Sequence, residues 1–244
     1  AGSYNSVFGL GAPYENVGVI NSQGFEISAD YSKKINSDLT INVGASFTFN
    51  KNTIKEQAEA PQLYANTAST GHCYGQAFGY VANGFFQKSD DINGDGIIST
   101  SEMTEKGYPV QSFTTVYPGD VKYVDLTGEN IIDANDRKAI GYSTTAPDIY
   151  YNFHLGAEYK GIGLDAMFQG VGRWTGFMTT NGLYRSAVAT NTLSQYLYEN
   201  SWSAERGNTE SALFPRLSTT SNANNDLNST LNMFDRSYIK LRYV

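Results

Sequence analysis

The residues best suited to chemistry lie in one short loop that runs from Asp91 to Glu102. Its sequence fits the calcium-loop pattern D-x-[DN]-x-[DN]-G-x5-E at every position. Alternate positions of such a loop turn oxygens toward one hard cation, and a glycine at the sixth position, here Gly96, permits the sharp turn. The pattern therefore predicts a structural calcium site, with a metal-free Asp/Asn/Gly turn as the alternative. The predicted ligands are Asp91, Asn93, Asp95, Ile97 through its carbonyl, Ser99 directly or through water, and Glu102.

No flanking helix is evident from the residues on either side of this loop. The preceding Phe85-Phe86-Gln87 indicates an extended segment. We therefore expect an isolated calcium loop that stiffens a long connection, and not a paired helix-loop-helix sensor.

A second stretch, from Asp125 to Asp136, matches the same pattern less completely. Its sixth position is Asn130, which adopts a left-handed backbone more readily than most residues but less readily than glycine. Two readings stay open here: a second ion site, or a loop that keeps the turn without the ion. The residues at its ligand positions are Asp125, Thr127, Glu129, Ile131 and Asp136.

The sequence offers little for catalysis or for nucleic-acid binding. His72 and His154 are the two histidines, and no nucleophile, zinc or phosphate-loop motif occurs. The net charge of −7 argues against a nucleic-acid partner, because such partners are bound through clustered cations. The single cysteine, Cys73, excludes an internal disulfide. We predict that the protein is not an enzyme and has no catalytic residues.

Two long hairpins must position the candidate loops. Apolar and polar residues alternate from Gly24 to Asn50 and again from Asp148 to Gln169, with one short turn in each segment. Period-two alternation indicates strands with one apolar and one polar face. Segments of about 12 residues exceed the usual 5–6 of soluble strands.

The spacing of the irregular segments indicates a membrane barrel. Short turns would lie on one rim and long excursions on the other, which is the asymmetry of an outer-membrane β-barrel. The predicted fold class is all-β: antiparallel strands of a partial transmembrane β-barrel with long extracellular loops. The chain, 1–244, would be the C-terminal part of such a barrel, with extracellular loop regions at 51–147, which holds the calcium-like loops, and 172–236.

Two other architectures compete with this interpretation. A secreted or surface-attached, calcium-stabilised β-sandwich that binds glycans would also alternate, but its apolar rows would be buried. An autotransporter-type barrel is disfavoured by the length of the loops. Exposure of the apolar rows therefore distinguishes the barrel from the sandwich.

Several motifs resemble one transporter family. The stretch from Pro118 to Arg137, with Ile140-Gly141 and Ala146-Pro-Asp148 after it, resembles the region near the C-terminus of SusC/RagA-type TonB-dependent outer-membrane transporters. Further pieces follow in the order of that family, and together they extend the resemblance over nearly the whole chain. They are Asn21-Ser-Gln-Gly-Phe-Glu26, Tyr80-Val-Ala-Asn-Gly-Phe-Phe-Gln87, Phe168-Gln-Gly-Val-Gly172 and Ser237-Tyr-Ile-Lys-Leu-Arg242.

The resemblance implies a large plugged barrel in the outer membrane of a Gram-negative bacterium. It implies import of oligosaccharides or peptides, with glycan uptake as one form, energy from TonB and a SusD-like surface lipoprotein as partner. No plug domain and no TonB-contacting segment is found in the sequence, and both ends read as cut. We therefore expect the chain to be about the last quarter of such a transporter, because an open sheet in lipid would leave edge N–H and C=O groups unpaired.

Overall fold

The computed structural model describes residues 18–186 and 192–244 and shows a β-rich chain with two short helices. Within these ranges no helix combines the length and the apolar character needed to cross a membrane. In chain order, the elements are β1 Val19–Lys34, β2 Leu39–Glu56, β3 Gln76–Gly79, β4 Ala82–Phe85, α1 Thr100–Glu105, β5 Val110–Gln111, β6 Val121–Tyr123, β7 Ile131–Ile132, β8 Lys138–Ser143, β9 Ile149–Tyr159, β10 Ile162–Gly172, β11 Thr175–Phe177, α2 Gln195–Asn200, β12 Met233–Asp235 and β13 Tyr238–Tyr243.

The long strands form one five-stranded antiparallel sheet in the order β1-β2-β9-β10-β13. The predicted all-β, antiparallel fold is confirmed, and within the described residues the sheet is open. β1 and β2 have 16 and 18 residues, and β9 and β10 have 11 each. β2 continues to Glu56, so the segment from 51, which we expected to be loop, begins inside a strand.

Both tight turns lie on one rim of the sheet. Asn36 Oδ1 accepts the backbone N–H groups of Asp38 and Leu39, which closes the β1–β2 turn. Lys160 and Gly161 form the β9–β10 turn with φ of 52° and 81°, the left-handed pair of a two-residue hairpin turn. The Lys160 N–H donates to the Asp38 carbonyl at 2.9 Å, so the two turns touch.

The two long loops leave the opposite rim and bury a shared hydrophobic core. Trp202, from the second loop, packs in one cluster with residues of the first loop. The buried members of that cluster are Tyr80, Phe85, Val121, Tyr123, Ile132 and Trp202. A second cluster surrounds α1 and consists of Phe86, Ile98, Met103 and Val116. Both hydrophobic clusters of the described residues thus lie in the loop region and include no residue of the five-stranded sheet.

Candidate functional site

The strand register aligns the apolar side chains into continuous rows on one face of the sheet. One row places Ile27 beside Phe47, Tyr151, Gly170 and Ile239. The next joins Ala29, Ala45, Phe153, Phe168 and Leu241. A one-residue slip in any pairing would break every row, because it would turn the strand over. We call this surface the apolar face.

The opposite surface, the polar face, carries hydrogen-bonding and charged groups in register. One row consists of Ser28, Ser46, Asn152, Gln169 and Lys240. Asn152 Nδ2 donates to Ser46 Oγ at 2.5 Å, and His154 Nε2 lies 3.9 Å from Asp30 Oδ1. His154 therefore lies among polar strand residues, as predicted.

The apolar rows remain exposed. Phe25, Ile27 and Leu164 are 53%, 61% and 66% exposed, and Ile41 and Phe47 are 36% and 37% exposed. Phe153 is half-buried because its ring stacks on Phe168, with the centroids 4.8 Å apart. A β-sandwich would bury these side chains under a second sheet. The exposure therefore disfavours the sandwich alternative.

The first calcium-like loop is a closed hydrogen-bonded turn. Asp91 Oδ1 and Oδ2 accept the N–H groups of Gly94 and Gly96 at 2.7 and 2.8 Å. Glu102 Oε1 accepts the N–H groups of Ile92 and Asn93, and its Oε2 accepts the Ser99 N–H and Oγ–H. Asp91 and Glu102 thus close the loop from its two ends through hydrogen bonds with its backbone.

The pKa of Glu102 follows from these donors. The Ser99 hydroxyl, then the Ser99 N–H, then the N–H groups of Asn93 and Ile92 stabilise the carboxylate, and they lower its pKa from 4.5 to about 2. Glu102 is the third residue of α1, and with Ser99 it forms a capping box. Our expectation that no helix flanks the loop was wrong, because α1 begins at Thr100, within the last positions of the loop, and continues to Glu105. The sequence signal for this helix was the Ser-x-x-Glu spacing from Ser99 to Glu102.

The second loop repeats the same backbone pattern. Asp125 Oδ1 and Oδ2 accept the N–H groups of Gly128 and Asn130, as Asp91 does three and five positions ahead. Asp136 accepts the N–H groups of Leu126, Thr127 and Asp133, which matches Glu102 position by position.

The left-handed position of this second loop is present, since Asn130 has a φ of 59°. Desolvation raises the pKa of Asp125, but the N–H groups of Asn130 and Gly128 outweigh it and lower the pKa overall. Of the other predicted ligands, the Glu129 side chain accepts a hydrogen bond from the Tyr64 hydroxyl, and Ile131 lies in β7.

The carboxylates of the two loops are directed at N–H groups. Across residues 18–186 and 192–244, no three His, Cys, Asp or Glu side chains converge on one point that a metal ion could occupy. Both calcium assignments stay predictions.

A buried polar cluster joins the two long loops at Asp120. Asp120 is fully buried, and its Oδ1 accepts hydrogen bonds from Arg216 Nε at 2.7 Å, Asn225 Nδ2 at 2.8 Å and Asn222 Nδ2 at 3.1 Å. Its Oδ2 accepts the Tyr117 N–H at 2.9 Å. One carboxylate therefore holds four donors, three of them from the second loop.

The sequence and the fold of this chain are similar to those of known proteins. No family model matches the sequence. TonB-dependent receptor P3 of Formosa agariphila is 24% identical over an alignment of 173 residues, which covers 66% of this chain and 16% of that protein. The solved structure of the RagAB peptide transporter superposes on 98% of this chain and 24% of its own, with a TM-score of 0.60 and 20% identity. The RagAB peptide importer in the open-open state covers 98% of this chain and 23% of its own, with a TM-score of 0.63 and 18% identity.

The resemblance to SusC/RagA-type TonB-dependent transporters is confirmed. The chain spans 16% to 24% of the length of the proteins reported above. They are named as a receptor, a transporter and an importer, and not as enzymes, in agreement with the prediction of no enzymatic activity.

In this SusC/RagA-like chain, sequence reasoning missed the cluster around Asp120. Two signals were available. Asp120 follows Pro118-Gly119, a turn sequence, and four of the residues from Asn222 to Asp226 are asparagine or aspartate. Both mark irregular backbone that needs side-chain hydrogen bonds, but neither identifies the partner about one hundred residues away.

Proposed function

We propose that this chain is a membrane-spanning part of a TonB-dependent importer of nutrient oligomers in the outer membrane of a Gram-negative bacterium. The observation that carries the proposal is the register of the apolar face. Its rows are continuous over the sheet and stay exposed, while the loop region buries its own core. Such a face is stable only if another apolar medium covers it, and lipid is the medium that fits long strands with short turns on one rim.

The polar face then borders the interior of the barrel, where hydrated solutes pass. The substrate proposed is an oligosaccharide or a peptide, and the peptide option is supported by the two RagAB structures, which are named for peptide transport. A SusD-like surface lipoprotein and TonB are the proposed partners. The loop region at the rim away from the tight turns would meet the lipoprotein outside the cell.

A labelling experiment tests the membrane topology in the full-length protein. In a cysteine-free background that includes Cys73→Ser, Leu155→Cys or His154→Cys adds one thiol at the same depth on opposite faces. In intact outer membranes, a water-soluble maleimide should label the His154→Cys variant and leave the Leu155→Cys variant unmodified. Equal labelling of both variants would refute a lipid-facing apolar face.

Import is tested by deleting the gene for the full-length protein. The deletion strain should fail to grow on the transported oligomer as sole nutrient and should grow normally on its monomers. Parallel cultures on oligosaccharides and on peptides separate the two substrate classes. Normal growth of the deletion strain on every oligomer would argue against an importer.

We further propose that the loop from Asp91 to Glu102 binds calcium and stiffens the segment around α1. The proposal is supported by the complete sequence pattern and by the left-handed φ of 76° and 85° at Gly94 and Gly96. Limited proteolysis of the full-length protein should cut this segment faster after chelation of calcium. The Asp91→Ala/Glu102→Ala variant should be cut fast with or without chelator, and equal cleavage of the parent in both conditions would refute the site. Whether the loop from Asp125 to Asp136 binds a second ion is read from the same digestion.

A further inference from the structure

A basic strip lies on the same side of the sheet as the apolar face, directly beyond its last aromatic row. On β2 the outward positions read Phe49, then Lys51, Thr53 and Lys55 toward the loop rim. Both lysines are exposed, and Gln23 and Asn21 of β1 pair with Lys51 and Thr53. The surface therefore changes from aromatic to cationic between Phe49 and Lys51, which are successive residues on this face of β2.

Arg173, which directly follows the last residue of β10, extends the strip. Its guanidinium lies 5.4 Å from the centre of the Phe49 ring, so the charge sits over the last aromatic row. The acidic neighbour with which Arg173 and Lys51 interact is Asp148, whose side chain is buried. Within the described residues, no carboxylate forms a salt bridge with Lys51, Lys55 or Arg173. The strip keeps positive charge although the chain as a whole carries −7.

The strip also borders the apolar face in a groove. An open cavity of about 420 Å³ is lined by Phe25 and Phe49 on one side and by Lys51, Thr53 and Lys55 on the other. A ligand that fits it must combine hydrocarbon with anionic oxygen. An inorganic ion would match only the lysine half.

The height of the apolar face places this groove at the membrane surface. From Leu39 to Phe49, β2 rises about 33 Å along its axis, and a tilt of 35–45° reduces this to roughly 25 Å, the height of a barrel's apolar band. Lys51 and Lys55 then lie at the headgroup level on the loop side, and Lys33 lies near the opposite surface, on the side of the tight turns.

We propose that Lys51 and Lys55, with Arg173, bind the phosphate groups of a multiply acylated, phosphorylated lipid in the leaflet next to the long loops. The acyl chains lie along the Phe25 and Phe49 row, and the phosphates pair with the ammonium groups. This inference rests on the proposed function, because it requires the apolar face to contact lipid. Attraction of surface cations to anionic lipid supplies the affinity.

The test uses the full-length protein in phosphatidylcholine nanodiscs that contain a small fraction of bisphosphorylated lipid A or of its dephosphorylated form. The lipid A that co-purifies with the protein is counted by native mass spectrometry. Lys51→Gln/Lys55→Gln should reduce retention of the bisphosphorylated form roughly 25-fold, since each of the two surface cations near an anionic lipid contributes about a fivefold factor. Lys33→Gln/Lys34→Gln removes the same charge from the other rim and should retain as much as the parent. All three proteins should retain little of the dephosphorylated form.

Three results would overturn the inference. The first is equal retention of the bisphosphorylated lipid by parent and Lys51→Gln/Lys55→Gln. The second is displacement of the lipid by millimolar inorganic phosphate, which would identify a free-phosphate site. The third is equal loss in the Lys33→Gln/Lys34→Gln control. If the parent inserts into the bilayer but does not retain the bisphosphorylated lipid, the proposed function stands and this inference alone is wrong. If the parent does not insert into the bilayer, both are refuted.

Discussion

The sheet and the loop region place their apolar side chains by opposite rules. On the sheet Leu155 is 52% exposed, and in the loop region Phe86 and Val121 are fully buried. The loop region obeys the rule for a protein in water, and it closes its own core with residues of both loops. Among the described residues, neither hydrophobic cluster includes a residue of the five-stranded sheet, so the sheet depends on what surrounds it. The difference shows that one chain is built for two solvents, and four changes test it.

The largest expected effect is in the loop region, from Asp120→Ala. The change leaves Arg216 without its partner and removes the acceptor for the Asn222 and Asn225 amides. Removing one member of a buried ion pair typically costs about 3–5 kcal/mol, so we expect local opening of both loops. Hydrogen exchange of the full-length protein should speed up across both loops and stay unchanged in β9. Asp120→Asn, which keeps the shape and an acceptor, should have a smaller effect, and exchange that rises equally in the sheet would contradict separate behaviour of the two regions.

A charge on the apolar face should have the next largest effect, and the size of the effect depends on the face that carries the charge. Leu155→Arg places a cation near the middle of the apolar band, which costs about 2–4 kcal/mol in a bilayer. His154→Arg, the adjacent residue on the polar face, should cost much less. Unfolding of the full-length protein in bilayers by denaturant measures both. Equal losses for the two variants would mean that the faces do not differ in solvent.

The tight turn between β9 and β10 gives a smaller effect. Gly161→Ala forces a side chain into a backbone with φ of 81°, which costs roughly 1–2 kcal/mol. Gly163→Ala is the control, because Gly163 is extended and a methyl group there meets no atom within 4 Å. The same denaturant unfolding should separate the two variants. If Gly161→Ala lost no more stability than Gly163→Ala, the turn would not depend on the left-handed backbone at Gly161.

The smallest effect is a pH dependence confined to the loop around α1. The pKa of Glu102 is lowered from 4.5 to about 2, so the folded state holds the ionised form more tightly than the unfolded state does. Its contribution is fully present above pH 4.5 and is lost as the pH falls toward 2. Hydrogen exchange of residues 88–107 should therefore rise in that window.

Glu102→Gln should remove this dependence, and Glu105→Gln, an exposed position of the same helix, should leave it intact. Glu59 has a pKa lowered to about 2 as well, chiefly by the Ser69 N–H, so the readout must be local. An unchanged pH profile in Glu102→Gln would show that the carboxylate does not order this loop.

The accuracy of the sequence-based predictions follows the same division. Alternation along β1, β2, β9 and β10 predicted the strands, because a period of two appears in any strand with unlike faces. The calcium pattern placed the first loop, and its weaker copy at Asp125 placed a second loop with the same backbone hydrogen bonds. Helix α1 was missed because six residues are too few to show a helical period. Its capping box at Ser99 and Glu102 was the better signal.

The cluster at Asp120 could not be derived in the same way. Its carboxylate and the Arg216 guanidinium are 96 positions apart and belong to segments without regular periodicity. Irregular loops pack through individual contacts, and no local pattern encodes which asparagine meets which aspartate. The same applies to Trp202, whose indole joins a cluster in which every other buried member comes from the first loop.

The sequence by itself determined that long strands would alternate, that the connections would be short on one rim, and where the acidic loops would turn. These are local properties, since each depends on neighbours within a few residues. Only the tertiary structure decided that the apolar rows run unbroken across five strands and remain exposed, and that the two long loops share one core. Both depend on register and on contacts between distant segments, and chain neighbours do not specify either.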